Sequence, residues 1–466
     1  MQSLRQWSVR HACALKRIYD AGAQWAPYLR RPVQWLGARS AERLLLPIER
    51  AGKRLLFDCK MCGQCVLSST GMACPTNCPK QMRNGPCGGV RADRSCEVDP
   101  TMRCVWVAAI DGGHSIGGLS GKTVLEPIDH RLWNRSSWLR VIAGTHTRPI
   151  VVQPSEPPAR ETFGFEQACQ SGRLVVTAEV SPPDSADPAV LLKRAAPFRN
   201  LVDAINITDG AGANCHMSSA AAAAVLVADG FTPVAQFCCR DRNRIALQGD
   251  ILGAAALGVR NILCLTGDDV SQGDHPDAKP VFDLDSISLL RMTAGMRDLG
   301  SFASGRKLAP APNLFLGATA NPFVPPFADR CINLEKKIDA GARFIQTQFC
   351  FDLPLLAEFM REVRARELHK QCAIIVGVGT LGSAKALRRM AQHVPGVHIP
   401  DAVLRRIGSA ENARAEAKRL VVETIRAVSD IEGVAGVHLM GYRVDDILTE
   451  AIVESGIRHG VRTRAA

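Results

Sequence analysis

Eight of the seventeen cysteines, Cys59, Cys62, Cys65, Cys74, Cys78, Cys87, Cys96 and Cys104, fall within 46 residues, while the others are scattered. Such crowding serves either metal or disulfides. The chain opens without an apolar secretory segment and small-residue cleavage site, which points to a reducing compartment, the cytoplasm, and so to metal. Cys59-x2-Cys62-x2-Cys65 puts three thiolates on one turn of loop, and Cys74-Pro75 and Cys78-Pro79 add two more. Three cysteines at two-residue gaps have a ferredoxin-like spacing, whereas zinc sites pair two such cysteines with a distant second pair. Eight thiolates satisfy two [4Fe-4S] clusters, two zinc sites, or one of each. Iron and sulfur are favoured over structural zinc, and a disulfide framework comes third.

A second set of chemically able residues closes short apolar runs further on: Glu179, Thr208 with Asp209, Arg240 with Asp241, Asp268, Asn321 and Gln348. Taken singly, each reads as a helix cap or loop contact. The runs that carry them alternate with Ala/Leu/Arg stretches of helical period: LVVTAEV from Leu174, VDAINIT from Val202, TPVAQFC from Thr232, VRNILCL from Val259, NLFLGAT from Asn313, RFIQTQ from Arg343, CAIIVGV from Cys372 and VAGVHLM from Val434. Eight strands alternating with helices predict a (β/α)8 barrel, in which strand C-termini converge on one catalytic rim. A doubly wound sheet is the runner-up, but no strand leads into a GxGxxG turn.

The rest of the composition is consistent with two or three globular domains, at about 100–200 residues each. The chain has 466 residues, 46% apolar and 22% charged, and no apolar run approaches the ~18 residues of a membrane helix. Of the net charge of +12, residues 1–54 supply +8, from eleven Lys/Arg against Asp20, Glu42 and Glu49. The basic balance therefore describes an N-terminal arm and gives the remainder no reason to bind nucleic acid or a membrane. The arm itself reads as an amphipathic helical scaffold or an organellar transit peptide. The expected organisation is a basic helical arm (1–50), a cysteine-rich metal or iron-sulfur domain (51–147), a proline-rich linker (148–172), the barrel (173–456) and a tail (457–466).

The barrel segments TAEVSPP (Thr177–Pro183), INITDGAGA (Ile205–Ala213), CCRDRN (Cys238–Asn243), GVRNILCLTGD (Gly258–Asp268), KIDAGARFIQTQFCFD (Lys337–Asp352) and GVHLMGY (Gly436–Tyr442) resemble methylenetetrahydrofolate reductase. The resemblance implies hydride transfer between reduced flavin and the one-carbon bridge of methylenetetrahydrofolate, giving 5-methyltetrahydrofolate. By the same resemblance Glu179 is the acid that protonates nitrogen 10 of the folate. Asp268 is the aspartate between flavin and folate, and Gln348 the glutamine whose amide meets the pterin. Thr208, Thr266, Gly267, Asp268 and Lys337 match flavin-binding positions, with Phe282 and Asp285 matched more loosely. The chain departs from the family at Gln236 and Pro325, where histidines are expected, at Asn321 for a tyrosine, and at Ala384 for the aromatic residue that packs on nicotinamide or folate. These departures leave FAD, FMN or flavin-independent transfer open. The insert from Asp268 to Ser286 looks like a loop of bacterial forms tied to methyl-group catabolism or acetogenesis.

Residues Cys59 to Trp106, including the RNGPCGG turn from Arg83, resemble the small cysteine-rich partner subunit of acetogen-type methylenetetrahydrofolate reductases. That resemblance implies metal or iron-sulfur centres feeding electrons to the barrel flavin. The electron source is then NAD(P)H or an iron-sulfur donor, and a homo-oligomer is a further expectation. Two other readings use the same residues: a tetrahydrofolate-dependent methyltransferase or demethylase, and a non-catalytic electron-transfer scaffold.

Overall fold

A computed structural model describes residues 2–119, 121–151 and 160–458. The middle of the proline-rich stretch (152–159) and the end of the tail (459–466) lie outside the described residues. The chain divides into two compact units, Met1–Gln153 and Pro154–Ala466.

The first unit begins with three helices, α1 (Gln2–Arg10), α2 (Ala12–Leu36) and α3 (Ala38–Phe57), the last ending at Asp58 in a left-handed conformation. The cysteine region that follows has only short 3-10 turns until α4 (Val105–His114). A two-stranded antiparallel ladder pairs β1 (Thr123–Val124) with β2 (Ile150–Val151), and α5 (Ser137–Ala143) lies between them in sequence. A segment so rich in cysteine and glycine is expected to have little apolar core of its own, and that expectation is corrected here. Met82, Val90, Met102, Val105 and Trp106 are buried together, and the Trp106 indole donates to the Met82 carbonyl at 2.9 Å. Helix α4 supplies Val105, Trp106, Val107 and Ala109 to this core, and the cysteine region before it supplies the rest.

In the second unit all eight apolar runs form strands: β3 (Val175–Val180), β4 (Ala204–Ile207), β5 (Pro233–Cys238), β6 (Asn261–Leu265), β7 (Phe315–Ala320), β8 (Phe344–Phe349), β9 (Ala373–Thr380) and β10 (Val434–Gly441). They pair in parallel, in chain order, and β10 closes on β3. This is the eight-stranded parallel barrel that the alternation predicts. The intervening helices start where a short polar side chain can accept from the first exposed amides. Ser218, Asn243, Asp285, Asp352, Ser383 and Asn412 each do so.

Helix α6 (Gly164–Gln170) precedes β3 and delivers Phe165 to the strand starts. Its ring, fully buried, meets Phe315 and Phe344 edge-on with centroids 5.7 and 5.2 Å away, among Val175, Ala204 and Val234. The barrel's N-terminal end is thus plugged by the Phe165 ring, and α6, which carries it, is tethered by the ion pair of Glu166 with Arg160. Phe165→Ala is expected to lower unfolding free energy by about 3–5 kcal/mol, read by urea denaturation. A loss under about 0.5 kcal/mol would show that α6 does not close the barrel.

Candidate functional site

Side chains alternate across a strand, so residues two apart share a face. In β3, β4, β8 and β10 this puts Thr177, Asn206, Gln346 and His438 inside the barrel, each almost wholly buried. They form one hydrogen-bonded network. The Asn206 amide donates to Gln346 Oε1 at 2.5 Å, and the Gln346 amide donates to Asn206 Oδ1 at 3.0 Å and to Thr177 Oγ1 at 3.2 Å. Thr177 Oγ1 lies 2.9 Å from His438 Nδ1, which also faces the Gln346 amide at 3.5 Å. Facing two donors, Nδ1 is assigned as the acceptor, which leaves the ring proton on Nε2. That atom lies 3.9 Å from the Glu179 carboxylate.

Glu179 itself sits near the C-terminal end of β3, its side chain about one quarter exposed. Thr208 follows β4 and Gln348 lies in β8, so the rim residues stand two positions beyond the network residues Thr177, Asn206 and Gln346. The Thr208 hydroxyl is buried without a hydrogen-bond partner among the described residues. An unpaired buried hydroxyl at the barrel mouth suits a polar ligand group, since leaving it unmet costs about 1–3 kcal/mol. Gln348 Oε1 accepts from the Phe349 amide at 3.0 Å. The network below the rim escaped the sequence reading, although the period-two rule applied to Glu179, Thr208 and Gln348 could have found three of its four members.

The other matched positions divide. Thr266 and Gly267 follow β6, where Thr266 Oγ1 accepts from the Ser286 amide at 3.1 Å. Gly267 has φ +98°, and a Cβ there would lie 2.1 Å from the Cys238 sulfur, so no other residue fits. Asp268 is exposed and accepts from the Gly212 amide at 3.0 Å, joining the loops after β4 and β6. Lys337 donates to the Thr319 carbonyl at 2.5 Å. Beside it, burial pulls Lys336 down to about 8 against the opposing charge of Asp285. Phe282 is a core residue at φ 41°, and Asp285 caps the helix Ser286–Asp298. Asp209, Arg240 and Asp241 are tied up in ion pairs: Arg242 grips Asp209 and lies 3.2 Å from Asp250, while Arg240 chelates Asp241 at 2.7 Å. Burial raises the Asp209 carboxyl against the pull of Arg242.

At the departures, Gln236 is buried in β5. Asn321 donates to the Gly396 carbonyl at 2.7 Å and accepts from the Phe323 amide at 3.1 Å, so its side chain braces the loop after β7. Ala384 opens the helix Ala384–His393 and packs with Phe351 against a small core around Leu387.

The eight clustered cysteines separate into two groups of four. Cys59, Cys62, Cys65 and Cys74 line one small cavity, and Cys78, Cys87, Cys96 and Cys104 line another. Each cavity is also lined by a buried Lys–Glu pair, Lys53–Glu49 at 2.6 Å in the first and Lys80–Glu97 in the second. Burial pushes the thiols up, Cys59 to about 11 and Cys74 and Cys78 to about 12. Among the described residues no three His, Cys, Asp or Glu side chains are set to hold one metal ion together. Four thiols on one cavity wall nevertheless make a donor set suited to soft metals.

The interior network should carry a large share of the barrel's stability, because breaking it strands several buried polar groups at once. Gln346→Leu removes both amide partners of Asn206 and is expected to cost about 2–4 kcal/mol in urea unfolding. A change within about 0.5 kcal/mol would mean that the network contributes little.

The family described as Methylenetetrahydrofolate reductase matches residues 164–456, and that described as Methylene-tetrahydrofolate reductase C terminal matches residues 38–131, here ahead of the barrel. Among curated relatives, "Probable methylenetetrahydrofolate reductase (NADPH)" of Caenorhabditis elegans is 28% identical over 187 residues, 40% of this chain and 26% of that one. The 5,10-methylenetetrahydrofolate reductase of Pectobacterium carotovorum subsp. carotovorum is 28% identical over 167 residues, 35% of this chain and 48% of that one. The chain thus spans less than half the length of these relatives. A solved structure, an uncharacterized Clostridium thermocellum protein that binds two copies of 5-methyl-5,6,7,8-tetrahydrofolic acid, is 13% identical with a TM-score of 0.45, covering 64% of this chain and 99% of that one. With one family matched across the whole barrel, the chain belongs to the methylenetetrahydrofolate reductases.

Proposed function

We propose that the protein interconverts 5,10-methylenetetrahydrofolate and 5-methyltetrahydrofolate by flavin-dependent hydride transfer. The observation that carries this reading is Glu179 at the barrel mouth, backed by the His438–Thr177 pair, in a chain of this family. Reduction requires that the folate's five-membered ring open, and opening requires a proton at nitrogen 10. Glu179 supplies it from a half-buried position where water competes poorly. His438, whose Nε2 lies 3.9 Å from Glu179, sets an N–H dipole beside the carboxylate that forms as the proton leaves. A bound flavin, FAD or FMN, would supply the hydride. Thr208, with its unpaired hydroxyl, Gly267, where only a glycine allows close approach, and Lys337 are the residues that would hold it. Asp268 adds fixed negative charge at the rim, and Gln348 offers an amide to the pterin edge.

A second reading has a specific observation in its favour. Gln236, Asn321 and Ala384 stand where the family carries ring side chains, and Asn321 is spent on its own loop. A folate-binding methyltransferase or demethylase would need no flavin ring at those positions. Purified protein free of yellow cofactor, yet binding methyltetrahydrofolate, would favour it.

The first unit reads as an electron-feeding module with two [4Fe-4S] clusters, one on Cys59, Cys62, Cys65 and Cys74 and one on Cys78, Cys87, Cys96 and Cys104. The tight Cys-x2-Cys-x2-Cys run favours iron over zinc. Electrons then reach the barrel from an iron-sulfur donor or, through the module, from NAD(P)H.

Two experiments test this reading. Glu179→Gln should lower methylenetetrahydrofolate turnover by ~10²–10⁴ while flavin content is unchanged. A variant keeping a third of wild-type turnover would remove Glu179 from the acid's role. Anaerobically purified protein should contain about eight iron and eight sulfide per chain, and Cys65→Ser and Cys96→Ser should each lose about half. Zinc in place of iron, or a single variant emptying both sites, would overturn the assignment.

A further inference from the structure

Eleven of the twenty large apolar side chains that are exposed among the described residues lie on α1, α2 and α3, a small part of the chain. Their spacing is ordered. On α2, Ile18, Trp25, Leu29 and Leu36 follow one another at steps of seven, four and seven, which puts them on one side of the helix. Tyr28 and Trp35 widen this stripe, and Trp35 is 90% exposed. On α3, Leu44, Ile48 and Leu55 repeat the pattern at steps of four and seven. Other sides of both helices are already taken by α5. Tyr19 of α2 meets Trp138 with ring centroids 5.3 Å apart, and Arg30 donates to the Ala143 carbonyl at 2.6 Å. Glu49 of α3 accepts from the Ser136 and Ser137 hydroxyls at 2.6 and 2.7 Å. The two stripes are therefore faces left open after the first unit has folded, and ordered apolar exposure on this scale marks an interaction surface.

The charge around the stripes says what covers them. All three acids of residues 1–54 are engaged: Asp20 by Lys16 at 2.6 Å, Glu42 by Arg135 at 2.8 Å and Glu49 by Lys53 at 2.6 Å. Arg17, Arg31, Arg39, Arg43 and Arg54 are exposed and enter no ion pair among the described residues. The uncommitted charge on α2 and α3 is thus positive. A second copy would bring two such arms together against their own repulsion, whereas an anionic surface is attracted by them. Exposed Trp and Tyr rings suit a boundary between water and hydrocarbon, where arginine stems lie along apolar surface and their heads reach phosphate. Among the described residues no helix is long and apolar enough to cross a membrane, so the arm would lie in the plane of one. We propose that α2 and α3 dock the protein on an anionic phospholipid surface, with the Trp25, Trp35 and Ile48 side chains among the acyl chains and the free arginines at the lipid phosphates. The docking surface belongs to the first unit and is independent of the barrel's chemistry and of what the cysteines hold.

The test is flotation of the full-length protein with vesicles of phosphatidylcholine alone and of phosphatidylcholine with about one third phosphatidylglycerol. Wild type is expected to float with the anionic vesicles only, and less as salt is raised. Trp25→Gln combined with Trp35→Gln, and separately Arg31→Gln combined with Arg43→Gln, should each weaken binding roughly tenfold or more, with helical circular dichroism unchanged. Leu44→Gln combined with Ile48→Gln should act in the same direction and stands in if the tryptophan pair fails to fold. No flotation, equal flotation on neutral vesicles, or flotation indifferent to the substitutions in folded protein would overturn the proposal. Sedimentation velocity without lipid separates the other occupant: protein that does not float, but forms a dimer that the tryptophan substitutions abolish, assigns the stripes to a second copy and refutes the lipid surface.

Discussion

The barrel depends on a ring of hydrogen bonds that contains almost no charge. Thr177, Asn206, Gln346 and His438 come from four different strands, and among the described residues their side chains hydrogen-bond to one another, His438 through Nδ1. In a low-dielectric interior, an amide or imidazole without a partner is costly, so the four must meet in one arrangement. That requirement fixes the register of β3, β4, β8 and β10 more tightly than apolar packing would, because aliphatic side chains tolerate small slips. Below the network the interior is closed by Phe165 and the strand-start cluster. Above it stand Glu179, Thr208 and Gln348. The polar layer thus separates a part of the barrel built for stability from a part open to ligands, and it transmits the order of the first to the second.

The rim shows the same economy in its loops. Asp268 bonds the Gly212 amide, and Arg240 donates to the Gly210 carbonyl at 3.0 Å, so the turns after β4, β5 and β6 are laced together. Gly267 permits that close approach, since any side chain there would strike Cys238. The ion pairs of Arg240 and Arg242 therefore shape the mouth of the barrel without being available for chemistry. Asp209 and Asp241, both rim candidates in the sequence, are engaged by these arginines, whereas among the described residues Glu179 has only the 3.9 Å approach of His438.

The eight strands were legible because each combined a β-branched run with a polar or glycine-rich end, and parallel strands buried on both faces read as continuous apolar stretches. The interior network was not, because Asn206 and Gln346 lie within apolar runs and look like interruptions until the barrel's closure brings them together across 140 positions of sequence. Phe282 and Asp285, matched to flavin positions by resemblance, have structural roles that spacing does not show, one packed in the core and the other capping a helix start. Sequence spacing identifies which residues lie near a strand end. It does not reveal which of them the backbone will claim for itself. In the cysteine region, similarly, eight thiols could be counted but not sorted, since Cys74 and Cys78 are neighbours in sequence and line different cavities.

That sorting carries an electrostatic consequence. A site with four thiolates accumulates negative charge in a place from which water is largely excluded, and the interior cannot hold it without a nearby cation. Lys53 and Lys80 stand in the walls of the two cavities, each already tethered to a glutamate. Burial pulls the Lys53 ammonium down, but Cys65 and Glu49 outweigh it and keep the group charged. In the second cavity the Cys87 thiol donates to Glu97 at 3.3 Å, so the glutamate that steadies Lys80 also engages a cysteine of the set. The two pairs therefore act differently: burial raises both thiols, but Lys53 eases the ionisation of Cys59 in the first cavity, whereas in the second the Glu97 carboxylate opposes ionisation of Cys87 more than Lys80 favours it.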